Sequence, residues 1–426
     1  MSSAAEQLAR NLNWSNLGKA TELKKRLWFT LGALIIYRIG SYIPVPGIDP
    51  VALADVFQRQ AGGLAGLLDV FSGGSIGRMS IFALSIMPYI SASIIMQILT
   101  TVVPSLEALK KEGEAGRKKI NQYTRYGTVI LAAVQAYGIA VGLESQTSTV
   151  GNVVFDPGLY FRFVTVVTLV GGTMFLMWLG EQVTARGVGN GISLIIFAGI
   201  VAAMPGAMVQ TLELGRTGSL SALFIIGLIV GIIAVVIFVV FIETAQRRIL
   251  VQYPKRQMGN RVYGGQASYL PLKINTSGVI PPIFASSLLL FPATIAGFQG
   301  TGTSDWVQWV SVYLGHGQPL YLAIYIGLIV FFCFFYTTVV FQPADTAENL
   351  KKYGGFLPGI RPGKNTAEYL EYVLTRLTVI GAAYLSVVAV TPKLLIAQGG
   401  VPFYFGGTSL LIVVSVTLDT VTQIQS

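Results

Sequence analysis

The stretch SLSALFIIGLIVGIIAVVIFVVFIE at residues 219–243 has no charged side chain before Glu243. About 20 consecutive apolar residues are enough to cross the hydrocarbon core of a bilayer as an α-helix. This stretch therefore predicts a membrane-spanning helix. The pattern repeats on both sides of it, and together the candidate spans are 27–44, 79–103, 127–143, 161–180, 191–209, 219–243, 276–297, 319–341, 374–392 and 405–421.

The composition of the whole chain agrees with a membrane protein. Over 426 residues, 53% of the side chains are hydrophobic and 11% are charged, and the mean hydropathy is +0.65. Soluble domains carry about 25% charged residues. We therefore exclude a water-soluble enzyme and expect an all-α, polytopic membrane protein with ten transmembrane helices. The first run begins only near Leu27 and is long enough to span, so we expect no cleavable signal peptide.

Basic residues indicate which side of the membrane each connection faces. When the ten spans are threaded alternately, 23 of the 29 Lys and Arg residues fall on one side, together with both termini. Lys and Arg accumulate in cytoplasmic connections. We therefore assign this side, and both termini, to the cytoplasm.

Two cytoplasmic connections, 244–275 and 342–373, are much longer than a helical hairpin requires. They combine basic residues with Gly, Pro and Tyr, which predicts protruding turns with basic tips. Such tips can bind an acidic partner or RNA, and they can equally be solvated loops. The basic residues concerned are Arg247, Arg248, Lys255, Arg256, Arg261, Arg361 and Lys364.

Two segments resemble each other across the chain. SIMPYISAS (85–93) in the second span aligns without gaps with GVIPPIFAS (278–286) in the seventh, and the two spans run in opposite directions. This pattern predicts two inverted five-helix halves, 1–212 and 213–426, with a functional path between them. The alternative is an ordinary proline kink in each helix.

A short apolar insert lies between the first two spans, in AGGLAGLLDVFSGGSIG (61–77). Its apolar part, Leu64 to Phe71, covers only about 12 Å as a helix, against a hydrocarbon core of roughly 30 Å. It cannot span. We expect a short helix on glycine hinges that lies on the interface or folds back into the bundle.

The chemistry of catalysis is missing from the sequence. The single histidine, His316, and the absence of paired buried acids leave no protease or metal site, so we expect no enzyme, no metal and no cofactor. Spans four to ten carry no charge at their centres, which makes an ion-coupled transporter the alternative to a channel. Cys333 lies among aromatic residues and is expected to be a packed thiol.

Several stretches together resemble one family: IFALSIMPYISASIIMQIL, KKEGEAGRKKINQYTRYGT, GTMFLMWLGEQVTARGVGNGISLIIFAGI, VIPPIFASSLLLFPATIA, NLKKYGGFLPGIRPG and VPFYFGGTSLLIVV. They are similar to the SecY/Sec61-alpha family, the central subunit of the protein-conducting channel. The resemblance implies a ten-helix clamshell around a central pore. A lateral gate between helices 2–3 and 7–8 would release apolar segments into lipid, while unfolded polypeptides cross the pore.

The resemblance also implies roles for individual residues. Isoleucine at one-turn spacing alone indicates packing, but the family motifs assign these residues to a hydrophobic pore ring. The ring falls on Ile86, Ile90, Ile196, Ile200, Ile283 and Ile412, the plug on Leu64, Leu67, Leu68, Val70 and Phe71, and the lateral gate on Ser91, Ser93, Gln135 and Asn275.

Partners are implied in the same way. The sequence has no nucleotide site and no buried proton relay, so energy for transport must come from another protein. The resemblance names the SecA motor ATPase, the ribosome and the small subunits SecE and SecG, with Arg361 at the basic tip that engages the motor or ribosome. It implies a place in the cell inner membrane, with translocating polypeptides, signal sequences and membrane lipid as further contacts.

Overall fold

The computed structural model describes residues 21–60, 69, 72–146, 151–217, 221–253, 256–258, 261–263, 267–298, 318–399 and 407–425. The fold is mostly helical. The helices are α1 Thr21–Gly40, α2 Pro50–Gln60, α3 Met87–Val102, α4 Pro104–Lys111, α5 Glu114–Glu144, α6 Leu159–Arg186, α7 Gly191–Arg216, α8 Ala222–Thr244, α9 Ile280–Phe298, α10 Pro319–Val340, α11 Pro343–Lys352, α12 Lys364–Gly399 and α13 Gly407–Gln425, and the strands are β1 Gln246–Gln252, β2 Arg256–Met258, β3 Arg261–Tyr263 and β4 Ala267–Lys273.

Six helices of the described chain are long and apolar enough to cross a membrane: α5, α6, α7, α8, α10 and α12. The pair α3 and α4, bent by 97°, makes a seventh if it is one span, while α9 and α13 contain shorter apolar helices. Val239 is fully buried but most of α8 is exposed, because a helix apolar on every face can lie against lipid. The count of ten spans stays a prediction.

The second span is shorter than its apolar run of 79–103 suggested. Residues 81–86 form turns, and α3 begins only at Met87. Ser85 has a left-handed backbone with φ of 51°, which ends any preceding regular structure. Pro88 then occupies the first turn of α3, where its missing N–H is tolerated.

The seventh span begins in the same way. In the alignment of the two similar segments, Ser85 corresponds to Gly278, which also has a positive φ, of 63°. Met87 corresponds to Ile280, and each is the first residue of its helix, one position before a proline. The sequence similarity is therefore accompanied by the same backbone break. This local match supports the prediction of two inverted halves.

The helices pack into one bundle whose largest core joins both ends of the sequence. α9 packs against both α3 and α5, and α13 packs against α7, α8 and α12. The core contains Ile86 and Ile90 from α3 and its entry, together with Phe284 of α9 and Leu411 of α13. Residues almost 200 positions apart thus meet at the centre.

The two long connections that the sequence analysis assigned to the cytoplasm form one folded unit, which the turn prediction did not foresee. β1 and β4 pair antiparallel from Gln246 opposite Lys273 to Gln252 opposite Ala267, with β2 and β3 paired beyond them. Gln252 and Phe356 exchange two backbone hydrogen bonds of 2.9 Å, which attach the second connection to β1. The unit, called the platform below, has its own apolar core of Ile249, Val251, Leu272, Leu357, Leu370, Val373, Leu374 and Leu377.

The last part of the platform is helical. α12 begins at Lys364 rather than near 374, so its first turns lie below the predicted span, and α11 occupies Pro343–Lys352. The apolar side chains Leu370, Val373 and Leu374 explain the extension, because they give these turns a buried face against the platform.

Candidate functional site

Five of the six isoleucines assigned to a pore ring border one small cavity at the centre of the bundle. They are Ile86 and Ile90 at the start of α3, Ile196 in α7, Ile283 in α9 and Ile412 in α13. The free space is about 10 Å³, on the order of a single water molecule. Four helices, α3, α7, α9 and α13, therefore each contribute a branched aliphatic side chain to the lining of this cavity.

The break before α3 places two of these isoleucines. Ile86 is the residue directly before the first turn, and the amide of Ile90 donates to its carbonyl across 3.1 Å. The two side chains therefore lie one turn apart on the same face. Ile86 and Ile412 are each 1% exposed. Ile200 is also fully buried in the same core, but it does not border the cavity.

The cavity lining offers little to a hydrated ion. Ser286 borders it, but its hydroxyl donates to the carbonyl of Ile283 at 2.9 Å within its own helix. An aliphatic constriction replaces none of the hydration of an ion and so resists wetting. The arrangement can act as a barrier to ions without binding a particular sequence.

Three of the four residues assigned to the lateral gate lie on α3 and α5, the two helices that α9 packs against. Ser91 and Ser93 lie in α3 and Gln135 in α5, and all three are half-buried. Across the seam between α3 and α9, the Ser287 hydroxyl of α9 approaches the Met87 Sδ of α3 at 3.9 Å. The gate role of these side chains stays a prediction.

Asn275, the fourth residue assigned to the gate, precedes α9 and contacts residues outside that helix. Its Nδ2 donates to Glu243 Oε1 at 2.7 Å and to the Gly278 carbonyl at 3.0 Å, and its Oδ1 accepts from the Ser277 hydroxyl. It thereby joins the end of α8 to the entry of α9. Glu243 was not among the assigned gate residues. Its signal in the sequence is that it ends the uncharged apolar run of the sixth predicted span.

The residues assigned to the plug, Leu64, Leu67, Leu68, Val70 and Phe71, lie outside the described part of the chain. The end of the insert is described, and α1 holds it. Tyr37 donates from its hydroxyl to the Ser72 carbonyl at 3.1 Å, and Arg38 Nη1 donates to the Gly73 carbonyl at 2.7 Å. A Cβ on Gly73 would lie 3.0 Å from the Cα of Gly199, so the insert passes directly against α7.

Asp69 closes the turn at this end of the insert. Its carboxylate accepts from the amide of Gly77 at 2.7 Å. Burial raises the pKa of the Asp69 carboxyl, although this hydrogen bond and the charge of Arg78 act in the opposite direction. The Asp69 carboxylate therefore stabilises the turn in which it lies.

Six of the seven basic residues assigned to partner binding lie on the platform. Arg247 and Arg248 are exposed on β1, and Arg361 and Lys364 are exposed at the start of α12. Arg256 and Arg261 lie on β2 and β3, and Lys255 is outside the described residues. The two connections of the platform pack closely at Gly355, where a Cβ would lie 3.0 Å from the Tyr253 ring.

Among the described residues there is no group of three or more His, Cys, Asp or Glu side chains that could hold a metal ion. Cys333 is fully buried, as its aromatic neighbours predicted. His316 lies outside the described residues.

Comparisons with known proteins agree on one family. The SecY family model matches residues 80–421. A protein translocase subunit SecY from Rickettsia bellii is 55% identical over 416 residues, which cover 98% of this chain and 96% of the relative. A solved protein-conducting channel has a TM-score of 0.67 and 19% identity, covering 94% of this chain and 92% of the other. Sec61 in the canine ribosome-channel complex from the endoplasmic reticulum has a TM-score of 0.65 and 20% identity, with the same coverage.

Proposed function

The chain belongs to the SecY family and is a subunit of a protein-conducting channel in a membrane, and we propose that its isoleucine cluster is the seal that a translocating polypeptide opens. The observation that carries this proposal is the convergence of Ile86, Ile90, Ile196, Ile283 and Ile412 on one cavity of about 10 Å³. An aliphatic ring excludes ions by staying dry. It makes no directional bonds, so an unfolded chain of any sequence can slide through it.

Replacing Ile86, Ile196 and Ile283 together by serine tests the seal. Three hydroxyls around the cavity should let water enter, so we expect ion conductance of the closed channel in planar bilayers to rise well above the wild-type level. The matched control replaces Ile95, Ile130 and Ile380, which are exposed at 47%, 64% and 53%, by serine. Equal conductance in wild type and the cavity variant would mean that these isoleucines are only packed.

The insert that follows α2 is proposed as the second layer of the seal. Its described end is bonded to α1 through Tyr37 and Arg38 and passes against Gly199, the neighbour of Ile200. In the sequence, the apolar residues from Leu64 to Phe71 directly precede this anchored end. Deleting 64–71 should raise the closed conductance less than the triple serine variant, because the ring remains.

Release of apolar segments into lipid is proposed to occur between α3 and α5 on one side and α9 and α10 on the other. α9 packs against both α3 and α5, and the described contact between Met87 and Ser287 is a weak one between sulfur and hydroxyl. Each central Leu or Ile favours lipid by about 0.3–0.6 kcal/mol, and each Lys, Arg or Asp opposes it by about 2.5–3.5 kcal/mol. A seam that opens to lipid can therefore sort segments by partition, without a catalytic residue.

The platform is proposed as the docking surface for the partner that supplies energy. Its exposed arginines and lysine stand on a folded unit with its own core, which favours a binding surface over a solvated loop. Canine Sec61, of the same fold, is known in a ribosome-channel complex. We propose a ribosome and a SecA-type motor as alternative partners here, and SecE and SecG as small subunits in the membrane. The chain itself is expected to have no catalytic activity.

The channel is proposed to lie in the inner membrane with both termini in the cytoplasm. The support is the charge distribution, because 23 of the 29 Lys and Arg residues fall on the side of the platform when the spans are threaded alternately.

A further inference from the structure

Two arginines on the face of the bundle opposite the platform share one tyrosine. The guanidinium of Arg78 lies over the Tyr42 ring, 4.1 Å from its centroid, and that of Arg38 lies 5.1 Å from the same centroid. Arg38 Nη2 also donates to the Tyr42 hydroxyl at 3.1 Å. Both guanidinium carbons thus lie within about 5 Å of the centre of one exposed tyrosine ring at the end of α1.

Glycines make room for this pair. Gly73 and Gly74 both have positive φ, of 68° and 83°. A Cβ on Gly74 would lie 2.6 Å from Arg78 Nη2, and a Cβ on Gly73 would lie 3.2 Å from Arg38 Nη1. The backbone of the insert is therefore a close-fitting support for both guanidiniums, which holds them in place from one side.

The open side of the pair is where lipid head groups would lie. Tyr42 is 57% exposed, and beside it Ile39 and Ile43 are 61% and 48% exposed. Exposed isoleucine in a membrane protein faces acyl chains, and tyrosine with arginine beside it is typical of the membrane interface. Arg78 is exposed at this level.

Neither arginine is in direct contact with a described acidic side chain. None of the ion pairs within 4 Å in the described chain includes Arg38 or Arg78. The charge of Arg78 acts on the Asp69 carboxyl, but that carboxylate accepts from the amide of Gly77 in its own turn. Like charges beside one ring repel one another, and a bound anion offsets that repulsion.

We propose that Arg38, Arg78 and Tyr42 bind the phosphate of an anionic phospholipid in the leaflet opposite the platform. Guanidinium groups donate in a planar fork that fits phosphate oxygens, and they are more weakly hydrated than ammonium groups. The exposed isoleucines below the pair would contact the acyl chains. Because Arg38 also holds the Gly73 carbonyl, the lipid lies against the hinge of the insert.

Lipid retention measured by native mass spectrometry tests the site. The full chain in mild detergent is titrated with phosphatidylglycerol or with phosphatidylcholine, and the bound fraction is recorded. We expect wild type to retain phosphatidylglycerol in preference to phosphatidylcholine, and Arg78→Gln to weaken that retention by about tenfold, the usual worth of one charge-assisted contact. The double variant R38Q/R78Q should lose the preference.

The matched control is Arg216→Gln, which removes one exposed arginine that is paired with Glu213 at 2.7 Å and stacks on no described ring. It should leave retention unchanged. A third arm adds millimolar inorganic phosphate, which should not displace the lipid because it lacks the acyl contacts. Unchanged retention in both arginine variants, equal retention of the two lipids by wild type, or displacement by inorganic phosphate would each overturn the proposal. If the double variant aggregates in size-exclusion chromatography, the lipid retention of Arg78→Gln alone tests the proposal.

Discussion

Ser85 and Gly278 show how a single residue sets the geometry of the proposed seal. Both have a left-handed backbone two residues before a helix that begins in front of a proline. Glycine adopts this conformation freely, whereas for a residue with a Cβ it costs roughly 1–2 kcal/mol of free energy. Only because of the break does Ile86 stand at the entry of α3, with Ile90 one turn above it.

Substitution of this serine by glycine tests whether the break is strained. We expect Ser85→Gly to raise the free energy of unfolding by at most about 1 kcal/mol, because glycine adopts the left-handed backbone without strain. The control is Ser91→Gly in the interior of α3, where glycine should destabilise by roughly 0.5–1 kcal/mol. Unfolding midpoints in detergent compare the two. A fall in both midpoints would show that Ser85 is held by contacts that outweigh its backbone strain.

Sequence spacing predicted part of the residue-scale picture. It placed Ile86 with Ile90 and Ile196 with Ile200, because residues four apart share a helix face. It could not bring Ile283 and Ile412 to them, since those contacts join helices far apart in the chain. The pairing of Asn275 with Glu243 was missed for the same reason.

At the scale of elements, hydropathy located the apolar helices but not their ends. The run at 79–103 is apolar throughout, so it carries no signal that residues 81–86 are turns. Helix α12 extends into the cytoplasmic connection because its apolar residues there face the platform core. The β1 and β4 pairing was hidden by the basic residues and by proline in β4, which resemble a loop in composition.

The seam between α3 and α9 is tested by cross-linking. With Cys333→Ser as background, a cysteine at Ser287 is combined with single cysteines scanned over 87–94. The pair whose Cα atoms lie within about 7 Å should form a disulfide. We expect that bridge to block export of polypeptides with an apolar signal, and a reductant to restore it, because the two helices must separate.

A flexible cross-linker between the same cysteines is the control for this experiment. It leaves the helices free to part, so export should continue. A quantitative short bridge with export at the unbridged rate would show that α3 and α9 do not form the gate.

For the whole molecule, the fold joins a membrane bundle to the platform through continuous elements. β1 follows directly from α8, and β4 leads through Asn275 into α9, with the Ile274 amide bonded to the Ala245 carbonyl at 3.1 Å. The charge pattern of the sequence predicted the basic surface of this unit, and its cytoplasmic side stays a prediction. It did not predict that two connections about 70 residues apart form one unit, because that depends on a shared core and the bridge between Gln252 and Phe356.

Charge reversal on the platform tests whether this unit receives the force for transport. Arg361 is exposed in the turn before α12, so Arg361→Glu should fold normally. At a charged interface the reversal replaces attraction with repulsion. We therefore expect motor-driven polypeptide translocation into vesicles to fall by roughly tenfold, which corresponds to a loss of about 1.4 kcal/mol of binding free energy.

The control is Lys110→Glu, which reverses the charge of another exposed basic residue, at the end of α4. This variant should translocate polypeptides as wild type does. The proposed seal is the isoleucine cluster, so closed-state ion conductance should not change in either variant. Wild-type translocation by Arg361→Glu would place the docking surface elsewhere, and a matching loss in Lys110→Glu would mean that the partner responds to the total positive charge of this face and not to the folded platform.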